Sequence, residues 1–225
     1  MKSLLREILA NRPVAKRIHF GIQENVRLVK IDNDDRMKDG QVTSRNTYLH
    51  FEQFKINDEG EEKVFASSVF SFFDIDPTKE EDKIIGTIAS QIEQLQSIVN
   101  CYNPEVVLDP ISDYSDMDEL LEDLKTKKGS TAIVNKLYTQ FEEAVSDYIG
   151  KKSDFVRLKV SVSSNGQHLQ LPYDGPVLEK QVEGKEPEIL SFTSYEKKCI
   201  SKYGSDATAR ADSKGSAPSK SLASI

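Results

Sequence analysis

Few side chains in this sequence stand where they could break a bond. Asp74 and Asp76 have the D-x-D spacing that puts two carboxylates on one face of a strand, the arrangement two-metal phosphoryl chemistry uses. They also precede Pro77 at a strand end, where aspartate serves turns and the dipole of a following helix. Asp32, Asp34 and Asp35 crowd another strand end. His19, His50 and His168 have no partner at ligand spacing, and Cys101 and Cys199 stand apart without a CxxC, as two reduced thiols would. There is no G-x-S-x-G turn and no glycine-rich loop ahead of a helix. The expectation is a chain that is not an enzyme and takes neither a metal nor a cofactor, with a nuclease built on Asp74 and Asp76 ranked last.

A second kind of chemistry, reversible binding through cations and rings, finds more residues. The elements that would position them follow from periodicity. A strand over 22–31 alternates Val26 and Leu28 against Gln23, Asn25 and Arg27. A charged loop over 32–45 brings Arg36, Lys38 and Arg45. A second strand over 46–56 sets Leu49 and Phe51 against Tyr48, His50 and Phe54, and Asn57 to Gly60 forms a hairpin turn. The third strand, 63–75, carries aromatics on both faces, so either the helices that follow cover the second face or it is kept for a ligand.

Thr78 and Glu81 have capping-box spacing and open a helix whose Ile84, Ile88, Leu95 and Val99 form one apolar stripe to Tyr102. A short helix over 117–127 and a third from Ser130 or Thr131 to Gly150 complete a helical insert at about 78–150. The fourth strand has the sharpest alternation in the chain, Val156, Leu158, Val160 and Val162 against Arg157, Lys159 and Ser161. After the turn at Ser164 to Gly166, a fifth strand spans 168–178. Three strands, a helical connection and two more strands predict an α+β chain with a five-stranded OB-like antiparallel barrel. In that order strands one and four are neighbours. Gln23, Asn25 and Arg27 would then lie beside Arg157 and Lys159, with Tyr48 and His50 on the next strand.

The flanks divide into three parts. Residues 1–19 hold a short amphipathic helix over 2–11 and a basic lead-in of Arg12, Lys16, Arg17 and His19 with no acidic residue. Residues 20–192 form the barrel with its insert. Residues 193–225 read as a flexible tail, rich in Ser, Ala, Lys and Gly beyond Ile200 and too poor in apolar surface to order itself. The 225 residues are 37% hydrophobic and 30% charged, with a net charge of −7, which describes an ordinary folded chain and argues against a surface coated all over with nucleic acid. One basic face remains compatible with that sum. No apolar run nears the roughly 18 residues of a membrane span, so a cytoplasmic protein is expected.

The runs 17–29 (RIHFGIQENVRLV), 46–51 (NTYLHF), 157–160 (RLKV) and 171–173 (LPY) resemble the phage-encoded single-stranded DNA-binding proteins of OB fold, over residues 17–76 and 155–178. The resemblance implies non-catalytic, largely sequence-independent binding of single-stranded DNA in replication or recombination, within the host cytoplasm. The residues that would carry it are Lys16, Arg17, Gln23, Asn25, Arg27, Arg36, Lys38, Arg45, Tyr48, His50, Arg157 and Lys159. Stacking is worth roughly 1–3 kcal/mol per base, so two or three rings would matter, and in the absence of Trp they must be Tyr or Phe. The alternative is a structural or adaptor protein that holds a protein partner on its sheet face and on the acidic stretch from Asp113 to Asp123. Replication or recombination proteins could also be met by the tail.

Overall fold

The computed structural model describes residues 16–38, 41–150, 155–173 and 175–215. The expected N-terminal helix over 2–11 lies outside these. The chain is α+β, an open antiparallel sheet with four helices among the described residues. The strands are β1 (Gly21–Lys38), β2 (Gln41–Ile56), β3 (Glu62–Phe72), β4 (Val156–Val162), β5 (Leu169–Gln170) and β6 (Leu178–Lys180). The helices are α1 (Glu81–Tyr102), α2 (Met117–Leu124), α3 (Lys127–Val145) and α4 (Ser194–Gly215). None is long and apolar enough to cross a membrane.

The sheet order is β3-β2-β1-β4-β5, and β6 pairs with the same edge of β4 as β5. Lys159 N donates to Val177 O at 2.9 Å, so β5 and β6 act as one edge strand interrupted by the excursion at 171–176. The expected strand over 168–178 is thus two short pieces, divided where Pro172 cannot donate to a ladder.

The barrel is not closed. Among the described residues, the outer edge of β3 meets no strand of the β4–β5 side. It is met instead by the chain entering β1: Lys16 bridges Ala66 in parallel, Ser67 N donates to Lys16 O at 2.8 Å, and Ile18 N donates to Ser68 Oγ at 3.0 Å. The seam of the expected barrel remains open beyond Ile18.

Val26, Leu28, Leu49, Phe51, Phe70, Phe72, Leu158 and Val160 are all buried, and they share one core with Ile84, Leu95, Leu137 and Phe141 of α1 and α3. The helices therefore cover the apolar face, and the face of β1–β3 bearing Lys30, Tyr48, His50 and Val69 stays at least partly open. The described parts of the charged stretch, 32–38 and 41–45, are strand and not loop. β1 and β2 pair through Lys38↔Gln41, and Arg45 clamps Asp35 across the ladder at 2.7 and 2.6 Å. Alternating charges pair strands as well as apolar residues do when cross-strand neighbours have opposite sign.

Helix starts also differ from expectation. Thr78 does not cap α1, because its hydroxyl and its N–H both donate to Asp76 Oδ1 in a turn. Thr126 caps α3, accepting from Gly129 N at 2.9 Å, so that helix begins a turn before Ser130. The largest difference is the expected flexible tail, of which residues 194–215 form α4. Thr193 and Glu196 make a reciprocal capping box, Glu196 N to Thr193 Oγ1 at 3.1 Å and Thr193 N to Glu196 Oε2 at 2.7 Å. Cys199 and Ala207 are buried against the sheet. Gly204 and Gly166 admit the close approach: a Cβ on Gly204 would stand 2.8 Å from the Phe20 ring, and one on Gly166, at φ 68°, 2.7 Å from Tyr203.

Candidate nucleic-acid interface

The face expected to set Gln23, Asn25 and Arg27 beside Arg157 and Lys159 is built only in part, because the bulge between Gln23 and Val26 puts Gln23 opposite Leu158 on the apolar face, and what is built is occupied by the chain itself. Strands β1 and β4 are neighbours, with Gln23↔Leu158 and Val26↔Val156 in register. The segment from β6 to α4 folds back over them. Arg157 is 2% exposed and Lys159 1%. Arg157 Nε donates to Glu24 Oε1 at 3.0 Å, its Nη1 lies 3.7 Å from Glu179, and its Nη2 donates to the carbonyls of Val182 and Lys185. Lys159 Nζ donates to Ser191 O at 2.9 Å and lies 3.5 Å from Glu196.

Arg27 is also enclosed. Its guanidinium forms a two-point pair with Glu62 at 2.5 and 2.8 Å and lies against the rings of Phe54 and Phe155, at 4.9 and 3.9 Å from their centroids. Asn25 sits at φ 55° in a β1 bulge, its N–H donating to Gln181 Oε1 at 2.7 Å and its Oδ1 accepting from Gln181 Nε2 at 2.9 Å. Gln23 donates to Phe20 O at 3.0 Å. These five residues bind the chain to itself. A cation buried without a counter-charge is costly, and each of these cations finds an acidic partner within the fold.

The remaining expected residues spread over the open side. Arg45 is committed to Asp35, whose carboxyl is held below the usual carboxylate range by that hydrogen bond. Lys16 lies exposed over the Phe65 ring at 5.3 Å. Arg36 is exposed on the charged ribbon, and the side chain of Lys38 is outside the described residues. Tyr48 and His50 occupy the open face of β2, opposite Ser71 and Val69 of β3. His50 Nε2 lies 3.0 Å from Asp32, whose carboxyl is kept low first by its hydrogen bond from Lys30 and also by His50.

Arg17 falls in a feature that sequence reasoning missed. A cleft of about 170 Å³ at the open seam is lined by Arg17, Ser68, Val69, Phe70, Gln167, His168, Leu169 and Arg210. No carboxylate is among these residues. Arg210 Nη1 donates to Gly166 O at 3.1 Å, which places the α4 cation beside the β4–β5 turn. Val69, 41% exposed, lines this cleft and faces His50 in register, so cleft and open sheet face are continuous. The available signal was the T-x-x-E of Thr193 and Glu196 with Cys199, Tyr203 and Ala207 at four-residue spacing, which marks a docked helix and so places Arg210.

Asp74 and Asp76 are both engaged within the fold. Asp74 Oδ2 accepts from Lys127 Nζ at 2.5 Å and Thr131 Oγ1 at 3.1 Å, tying β3 to the start of α3, and Asp76 is engaged by Thr78. Among the described residues no three His, Cys, Asp or Glu side chains are grouped as a metal would require. In the acidic stretch, Asp116 caps α2, Asp123 accepts from Tyr114, and Asp113 pairs with Lys136 at 2.8 Å. No family model, no curated protein and no solved structure matches this chain.

Proposed function

We propose that this chain binds single-stranded DNA without catalysis and largely without regard to sequence, in replication or recombination, along the open seam between β3 and the β4–β5 turn. The observation that carries the reading is the cleft that brings Arg17, His168 and Arg210 together, continuous through Val69 with His50 and Tyr48. Two guanidinium groups supply phosphate contacts, and a ring and an imidazole alongside supply surfaces on which bases stack. A net charge of −7 is compatible with this, because phosphate responds to local potential. The strand order β3-β2-β1-β4-β5 supports reading the sheet as an OB-type barrel left open at that seam, where a strand of nucleic acid could lie without displacing a ladder.

The test is a titration of fluorescein-labelled oligo(dT) at low salt, with unlabelled single-stranded and duplex DNA as competitors. Saturable binding displaced by the single strand in preference to the duplex is expected. No binding, or equal displacement by both, overturns the reading.

A further inference from the structure

A second cavity, of about 390 Å³, adjoins the seam on its far side. Its walls come from the end of β4 and its turn (Ser161, Ser163, Asn165), from His168 and Gln170, and from two tyrosines, Tyr173 after β5 and Tyr195 in the first turn of α4. These rings are 58% and 63% exposed, a large apolar area to leave in water at one place. The volume lies within the roughly 300–1,000 Å³ of small-molecule sites.

The polar groups at the cavity divide into two sets. Ser163 Oγ is used up within the turn, accepting from Gln167 N at 3.0 Å and His168 N at 3.1 Å and donating to Asn165 Oδ1 at 2.9 Å. That network holds the side-chain carbonyl of Asn165 within the turn. Glu196 is committed to Thr193 and Lys159. The carboxamide of Gln170 and the imidazole of His168 complete the rim. Tyrosine rings and carboxamides lining one cavity suit a flat, π-faced group with donors and acceptors on its edge. His168 lines this cavity and the arginine cleft alike, so a ligand in one is adjacent to a ligand in the other.

We infer that this cavity, bounded by Tyr173 and Tyr195, receives one unstacked nucleobase of the strand whose backbone crosses Arg17 and Arg210. The inference rests on the function proposed above and adds a defined base site to it. Lys198 and Lys202 follow Tyr195 at i+3 and i+7, on the same side of α4, where they flank the path of the backbone leaving the cavity.

The test uses the full chain with Tyr173→Ala, Tyr195→Ala and Tyr173→Phe. Both rings are exposed, so these variants should keep the wild-type melting temperature. Each alanine variant should weaken oligo(dT) binding about five- to 100-fold with an unchanged salt slope, since a stack is lost and no charge. Tyr173→Phe should retain wild-type affinity. Oligonucleotides carrying one 5-iododeoxyuridine should photocrosslink to Tyr173 or Tyr195, and thymidine monophosphate should compete only at concentrations far above those of the oligonucleotide. Alanine variants that bind as wild type, with crosslinks elsewhere, overturn the base site and leave the general binding standing. Competition by the free mononucleotide at oligonucleotide concentrations also overturns it, by making the cavity a nucleotide site independent of the strand. If wild type binds no oligonucleotide at all, the function proposed above fails, and the base site with it.

Discussion

Lys159 Nζ lies 3.5 Å from Glu196 Oε1, while the other carboxylate oxygen of Glu196 accepts from Thr193 N at 2.7 Å. One carboxylate thus compensates a buried cation on β4 and caps the helix that buries it. Removing one member of such a pair leaves the other uncompensated, whereas replacing both is far less costly. Glu196→Ala should destabilise by about 3 kcal/mol, Thr193→Ala by about 1 kcal/mol, and Lys159→Met with Glu196→Gln by less than Glu196→Ala alone. Urea denaturation of the three variants checks the order, and a double variant that costs as much as Glu196→Ala would show that the pair is not coupled.

Arg27 tests whether the sheet-face cations are structural. Its guanidinium meets Glu62 at two points and lies against the rings of Phe54 and Phe155, a combination that a lysine ammonium cannot reproduce. Arg27→Ala should cost about 3 kcal/mol, and Arg27→Lys should recover less than half of that. Oligonucleotide affinity per folded molecule should be unaltered in both. A stable Arg27→Ala variant that no longer binds would return Arg27 to the interface.

Much of this architecture was legible in the sequence, and the part that was not has a definite physical origin. The order of the first four strands and first three helices, the apolar stripe from Ile84 to Val99 and the turns at Asn57 and Asn165 follow from periodicity and local hydrogen bonding. The alternation in β4 correctly separated Val156, Leu158 and Val160 from Arg157, Lys159 and Ser161. Alternation shows that two faces differ and leaves open which one is wet. The second face is dry because residues 179–196 return over it, and that return depends on contacts such as Glu179 with Arg157, distant in sequence. The same gap hid the cleft, since Arg17 and Arg210 meet only once α4 docks.

Acid should loosen that returning segment. Burial works to raise the pKa of Glu179, but backbone donors Glu188 N, Ile189 N and Leu190 N, at 2.9 to 3.2 Å, outweigh it and hold the carboxyl below its ordinary value. Asp35 is lowered likewise by Arg45. A carboxyl with a lower pKa folded than unfolded contributes stability above its unfolded pKa, and loses it as pH falls through the folded value. The urea midpoint should therefore be flat from pH 7 to about 5 and fall below about 4.5, less steeply in Glu179→Gln. A midpoint that rises on acidification would contradict this.

Burial pushes the Cys101 thiol up to about 12, and the residue is 8% exposed. Thiolate is the reactive form, so Cys101 should resist dithionitrobenzoate at pH 7.5 and react fully in denaturing urea. Rapid labelling of Cys101 in the native protein would show that α1 and β6 part readily around it.

The salt dependence of oligo(dT) binding by wild type and by Arg17→Ala with Arg210→Ala addresses the proposed interface most directly. For single strands, log K falls against log salt by about 0.7 per neutralised phosphate. Wild type should bind with a negative slope. The double variant should bind more weakly per folded molecule, with that slope reduced by about 1.4 because two phosphates are no longer neutralised. A folded double variant with wild-type affinity and slope would remove the seam from DNA binding.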